Sequence, residues 1–416
     1  MEEVRTDKFG VFAWVLFSLA ILNFFNTGVL RFYVGIAMCV AIIVLLLTSE
    51  GWHSLKGLKK ITFFSLLVFT FIYGLNVYRF QFVDFSHFLM YALSPALFYI
   101  AGHYLATRSG DNRYKYLVNC AIIASSAIFG FLCVFYTLRV AGTIVSQFGG
   151  HRYVIDWWTG SYLAATIVGT YISLGIGAMV VLFIKAESKF ALIVKIILSA
   201  IVLVSLYCEY FLASRIAIVV GIVSLTATLV IIYSKSRELI RVIFWVGLFL
   251  AALYFSYTAN LFDLKSTIIN SPIAGRFLST SVNGDQRLQV WRESGQGLID
   301  HPEGGQATTL GASSAHNLWL DVGWDAGIFA FIFALVFTIS SVIDFIGSAR
   351  QKGMPTLLKG IIISMLISFI LASFIEPIIK GVFTYFLSFC FFVAFISSMQ
   401  FKQGSIDRPK IDSCSQ

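Results

Sequence analysis

The residues with the most chemical potential lie close together between Asn283 and Gly327, NGDQRLQVWRESGQGLIDHPEGGQATTLGASSAHNLWLDVGWDAG. Two arginines, two histidines, several carboxylates and a run of glycines fall in one stretch of an otherwise apolar chain. His316 sits in Ser313-Ser314-Ala315-His316-Asn317, where Ser313 or Ser314 is expected to cap a following helix. That would put His316 in the first helical turn. There the helix macrodipole disfavours imidazolium, leaving a neutral base or hydrogen-bond acceptor. Asn317 and Asp321 follow one and five residues later, and the alternative is a polar histidine at a membrane interface with no chemical role.

Arginine is the matching feature. Arg287 and Arg292 are five residues apart, so a helix would not put both on one face. Arg215, in FLASRIAIVV, begins or interrupts an apolar run, where a guanidinium is costly unless paired. Its bland reading is an ion pair with Glu209. Arg152, beside His151, is a further candidate for an anionic ligand. Arginine forks match phosphate and carboxylate, as lysine ammonium groups do not.

Other chemistries are poorly supported. His301 and His316 are not at metal-ligand spacing. Asp321 and Asp325 at i and i+4 can share a helix face, yet no further ligands accompany them. We expect no metal and no cofactor. No P-loop, dinucleotide-binding glycine pattern or GxSxG motif occurs. Cys39, Cys120, Cys133, Cys208, Cys390 and Cys414 form no CxxC pair and read as apolar filler.

The elements that must position these residues are membrane helices. The chain is 58% hydrophobic and 12% charged, with a mean hydropathy of +0.85, whereas soluble domains carry about 25% charged residues. Apolar runs of about 20 residues indicate an all-α integral membrane protein rather than a barrel. Twelve spans are expected, at 9–26, 33–49, 61–78, 86–106, 116–138, 159–184, 190–208, 215–233, 240–258, 317–345, 357–376 and 381–400. The first run lacks a small-residue cleavage site, so no removable signal peptide is expected.

With both ends on the cytoplasmic side, twenty of the 30 Lys and Arg residues fall inside, as the positive-inside rule requires. The net charge of +9 therefore reads as a topology signal, not as nucleic-acid binding. Of the ten outer cations, Arg31, Arg79, Arg139, Arg152, Arg215, Arg276, Arg287 and Arg292 are arginine, and only Lys265 and Lys380 are lysine. An outer face built to hold an anion explains that bias; arginine snorkelling to headgroups is the alternative. Two outer loops are long, 139–158 and 260–315. Within the second, Gln286–Ile299 has the pattern of an amphipathic helix, with Leu288, Trp291, Leu298 and Ile299 apolar. Asp300-His301-Pro302 ends it and Gly304-Gly305 turns the chain. We find no separate soluble domain: 1–416 reads as one polytopic unit.

The run RLQVWRESGQGLIDHPEGGQ…SAHNLWLDVGWDAGI resembles the signature region of the O-antigen ligase and O-antigen polymerase superfamily of bacterial membrane proteins. The matching features are Arg287, a helix bearing Trp291, the Asp300–Pro302 turn with Gly304-Gly305, His316-Asn317 with Leu320, and Gly327. ASRIAIVV around Arg215 and the segment HRYVIDWWTGSYLAATIVG, beginning at His151-Arg152, resemble further arginine motifs of that family. HPEGGQ departs from the family's more common P-x-x-G-x-G turn. The resemblance implies a GT-C-like, metal-independent glycosyltransferase of the bacterial inner membrane. It would take a glycan from undecaprenyl diphosphate and pass it to a sugar hydroxyl, on lipid A–core for a ligase or on another lipid-linked glycan for a polymerase. His316, Arg287 and Arg215 would be catalytic; Arg152, Arg292, Asn317, Asp321 and Trp291 would bind substrate. A transporter of lipid-linked glycans is the reading from a different class.

Overall fold

The computed structural model describes residues 10–26, 31–48, 55–144, 152–233, 248, 251, 255–256, 258–259 and 286–401. The helices in chain order are α1 (Val11–Phe24), α2 (Arg31–Leu46), α3 (Lys60–Arg79), α4 (Phe85–Arg108) and α5 (Asn112–Ala141). A short antiparallel hairpin follows, β1 (Tyr153–Ile155) with β2 (Tyr162–Ala164), Tyr153 opposite Ala164. Then come α6 (Ala165–Gly177, continued as a tighter 3-10 turn over Ala178–Leu182), α7 (Lys189–Leu212) and α8 (Arg215–Tyr233). The last group is α9 (Gln286–Asp300), α10 (Leu318–Ala349), α11 (Thr356–Ile375), the single turn α12 (Ile378–Gly381) and α13 (Phe383–Ser397).

Eight helices among the described residues are long and apolar enough to cross a membrane, and Val11–Phe24, Tyr33–Leu46 and Phe383–Ser397 are shorter apolar helices. The surface agrees. Ile193, Ile196, Leu203 and Leu206 project from α7 with 43–63% of their area exposed. A stripe of that kind suits hydrocarbon, not water. The chain is an all-α, multi-pass membrane protein. The expected span 240–258 falls almost wholly outside the described residues, as do His151 and the part of the long loop from 260 to 285.

Packing is close where side chains are small. A Cβ on Gly102 of α4 would collide with the backbone of Phe391 in α13, and one on Gly175 of α6 with Ser205 of α7. Small residues of this kind let membrane helices approach without polar glue. An aromatic core fills the centre, with Phe369 against Tyr385, Phe389 and Phe392.

Two expected spans are redrawn. The stretch 159–184 does not begin as a helix: residues up to Ala164 form the hairpin, and α6 starts at Ala165. Gly160 adopts φ +69 in its turn, and Asp156 accepts the Trp158 amide, so local turn chemistry overrides the apolar pattern. The second change is larger. α10 is broken at Gly327, whose φ 86 and ψ −179 are open to glycine alone. The Trp319 indole nevertheless donates to Thr338 Oγ1 at 3.0 Å. On an unbroken helix those residues would stand about 28 Å apart. The limbs 318–326 and 328–349 therefore fold against each other. The second limb, about 33 Å long, is sufficient to cross a bilayer alone.

The turn at 302–306 occupies this break. Ile328 N donates to Pro302 O at 2.8 Å, Gly305 N to Asp325 O at 3.0 Å and Gln306 N to Trp324 O at 2.9 Å. Asn76 of α3 donates to Ala326 O at 2.7 Å. Trp324 O, Asp325 O, Ala326 O and Ile328 N, released by the break, are thus paired, as an apolar interior demands. Gly304 and Gly327 meet backbone to backbone, and a Cβ on Gly327 would lie 2.5 Å from Pro302 O.

Gly327→Ala should therefore cost at least the about 1–3 kcal/mol of a forbidden backbone region, read as a lowered thermal midpoint in detergent. Gly347→Ala, in the same helix but with nothing near the added methyl, should match or exceed the wild type by up to about 1 kcal/mol.

Candidate functional site

Three polar side chains meet where α9, the start of α10 and the end of α11 converge. Arg287 Nη2 is 3.6 Å from Glu376 Oε1, and His316 Nδ1 is 3.8 Å from Glu376 Oε2. Glu376 is 1% exposed, whereas Arg287 and His316 are 32% and 31% exposed. A buried carboxylate thus faces a guanidinium on one oxygen and an imidazole on the other. Both separations exceed hydrogen-bond length. Catalytic contacts often tighten only when substrate is bound.

The local sequence explains how each side chain arrives. α11 ends at Ile375 because Pro377 disfavours helical backbone in the residue before it. Glu376 is accordingly extended, at φ −130 and ψ 153. Asn317 Nδ2 donates to Phe374 O, and the Trp319 ring packs on Phe374 with centroids 4.5 Å apart. These contacts bind the end of α11 to the start of α10 and bring Glu376 beside His316.

His316 is not in the first turn of α10. Asn317 is the N-cap, its Oδ1 accepting from Trp319 N and Leu320 N at 3.2 Å. Asn317 takes this place instead of Ser313 or Ser314, and its amide also reaches Phe374 O. His316, one position outside the helix, adopts φ +52, an uncommon conformation for a residue with a side chain. Its neighbours hold it there. Asp321 accepts from Ala315 N at 2.6 Å and Asn317 N at 3.2 Å. Trp291 of α9 donates its indole N–H to Ala315 O at 2.8 Å. The backbone on both sides of His316 is pinned, which turns its ring toward Glu376.

The expected substrate residues consequently divide. Asn317 and Asp321 are 5% exposed and committed to backbone groups, and Trp291 is committed to Ala315. All three side chains thus hydrogen-bond backbone groups near His316. On α9, Arg287 shares the packed face with Val290, Ser294 and Leu298, while Arg292 is exposed on the opposite face. Leu288 and Ile299, expected on the apolar face, are 58% and 71% exposed. The helix turns about 100° per residue, so 287, 290, 294 and 298 line up and 292 does not.

Arg215 opens α8 after a left-handed turn at Ala213, φ 46; its side chain lies outside the described residues. Its expected partner, Glu209, is 3% exposed, with Ser214 close by across Gly169 and Arg152 within electrostatic reach. Arg152 is therefore associated with Glu209. Asp321 and Asp325 both lie within electrostatic reach of Lys380. Asp325 pairs with Lys380 Nζ at 2.6 Å and accepts from Gln306 and Tyr73. Among the described residues no group of three or more His, Cys, Asp or Glu could hold a metal ion.

Glu376 was not legible as a site residue beforehand. The available signal is that it is the only acid between Asp344 and the C-terminal tail, set against a proline at the end of an apolar run. The chain matches no protein-family model and no curated protein. Asp321→Ala should leave the buried Ala315 and Asn317 amides unpaired. We expect a loss of about 1–3 kcal/mol, visible as a lower thermal midpoint and as faster hydrogen exchange at Ala315 and Asn317.

Proposed function

We propose that the chain is a glycosyltransferase of the O-antigen ligase type. It moves a glycan from undecaprenyl diphosphate to a sugar hydroxyl of lipid A–core at the outer face of a bacterial inner membrane. The observation that carries this reading is the Arg287–Glu376–His316 arrangement, with His316 held in a left-handed backbone by clamps on both sides.

The chemistry follows from the ring's two edges. Nδ1 faces Glu376, so a carboxylate there favours the tautomer with hydrogen on Nδ1 and leaves the lone pair on Nε2. Nε2 takes the proton of the acceptor hydroxyl as its oxygen bonds to the anomeric carbon. The bond from that carbon to the diphosphate oxygen breaks, and undecaprenyl diphosphate leaves with the electron pair. Arg287, anchored on one side by Glu376 and about one-third exposed, meets the developing negative charge. Arg215 at the start of α8 would be a second phosphate contact.

A repeat-unit polymerase uses the same donor and the same step, with a lipid-linked glycan as acceptor. Transport is less well supported. Broken helices in transporters expose backbone groups to cargo, whereas those at Gly327 are satisfied by residues 302–306 and Asn76.

In a reconstituted assay with undecaprenyl-diphosphate-linked glycan and lipid A–core, His316→Ala should lower turnover by about 10²–10⁴. Arg287→Lys should lower it by about 10². Wild-type turnover in His316→Ala would remove the base role. In a deletion strain, bare core with glycan accumulating on undecaprenyl diphosphate supports a ligase; core bearing a single repeat supports a polymerase. A normal lipopolysaccharide ladder would overturn both.

A further inference from the structure

A cavity of about 800 Å³ opens at the same end of the bundle, within the about 300–1,000 Å³ typical of small-molecule sites. α1, α2, α4, α6 and α13 each contribute residues near one terminus, and the turn of the β1–β2 hairpin closes one side. It meets the candidate site through one segment. Ile379 and Lys380 line the cavity, and Glu376 lies four residues before Lys380, at most about 14 Å of chain away.

The lining is graded. On α4, Ser86 and His87 occupy the first turn, and Leu89 and Leu93 lie one and two turns further in. Ile36 on α2 and Leu387 on α13 extend the apolar wall. Such a lining suits an amphiphile whose head stays at the bundle end.

The polar groups identify the head. Asn23 and Asn26 line the cavity, are 3% and 7% exposed, and have side-chain oxygens that accept no hydrogen bond. Buried acceptors in that state require a donor. The basic lining residues are already matched: Lys380 faces Asp325 at 2.6 Å, and His87 faces Asp84 at 2.8 Å. The amide of His87 and its neighbours hold the Asp84 carboxyl well below the usual carboxylate range, keeping it charged. Asp156, 6% exposed, adds a negative charge to the wall. A phosphate head offers only acceptors and would meet Asp156; a polyhydroxyl head offers donors to Asn23 and Asn26.

We propose that this cavity binds an amphiphile with an uncharged polyhydroxyl head. That assignment does not rest on the glycosyltransferase reading. Gly35 provides the test, since it lines the cavity on α2 and an added Cβ meets nothing within 4 Å. Gly35→Phe should fill the space without disturbing the helix.

The full chain in lipid nanodiscs would be titrated with dodecyl maltoside and with dodecyl phosphocholine. The maltoside should bind saturably, and both Gly35→Phe and Asn23→Leu should weaken it by about tenfold or more, the equivalent of a lost hydrogen bond, with thermal midpoints retained. Equal binding of the two amphiphiles, or maltoside binding unchanged in both variants, overturns the cavity assignment.

Discussion

A chain surrounded by hydrocarbon cannot leave backbone groups unpaired, and the organisation around Gly327 follows from that constraint. Breaking α10 releases amides and carbonyls that water would satisfy in a soluble protein. Here the 302–306 turn supplies Pro302 O, Gly305 N and Gln306 N to them. Each partner needs the other. The turn could not be buried without the break, and the break could not persist without the turn.

This docking determines where the chemistry is placed. Because the turn is anchored in the bundle, α9 is anchored with it, and Trp291 reaches Ala315. Because the first limb of α10 folds against the second, Asn317 and Trp319 reach the end of α11. The His316 centre is therefore built from three elements separated in sequence but joined by hydrogen bonds from side chains to backbone groups. Those bonds hold the His316 ring beside Glu376.

The bundle end carries two polar arrangements joined by residues 376–380. Glu376 balances a guanidinium and an imidazole, and Lys380 balances the wholly buried Asp325. Removing one member of either pair would strand a charge in a medium where isolated charge is expensive. A third arrangement, Arg152 with Glu209 and Ser214, sits on the other side of α6. The arginines that look equivalent along the chain consequently work in different surroundings.

Much was determined by the sequence alone. Apolar runs of bilayer length dictate membrane helices whatever their packing, and the charge pattern of residues 286–299 dictates a helix outside them. Arg287 and His316 stood out because polar residues are scarce in this chain. Three features were decided only by tertiary structure. Glu376 looks like an ordinary acid after an apolar run until α11 is seen to end beside His316. Asn317, not a serine, caps α10, and its amide also reaches Phe374 O. The reversal at Gly327 is invisible in a pattern that remains apolar across it. Local patterns report how a residue partitions between water and hydrocarbon; they do not report which distant backbone group will supply its hydrogen bond.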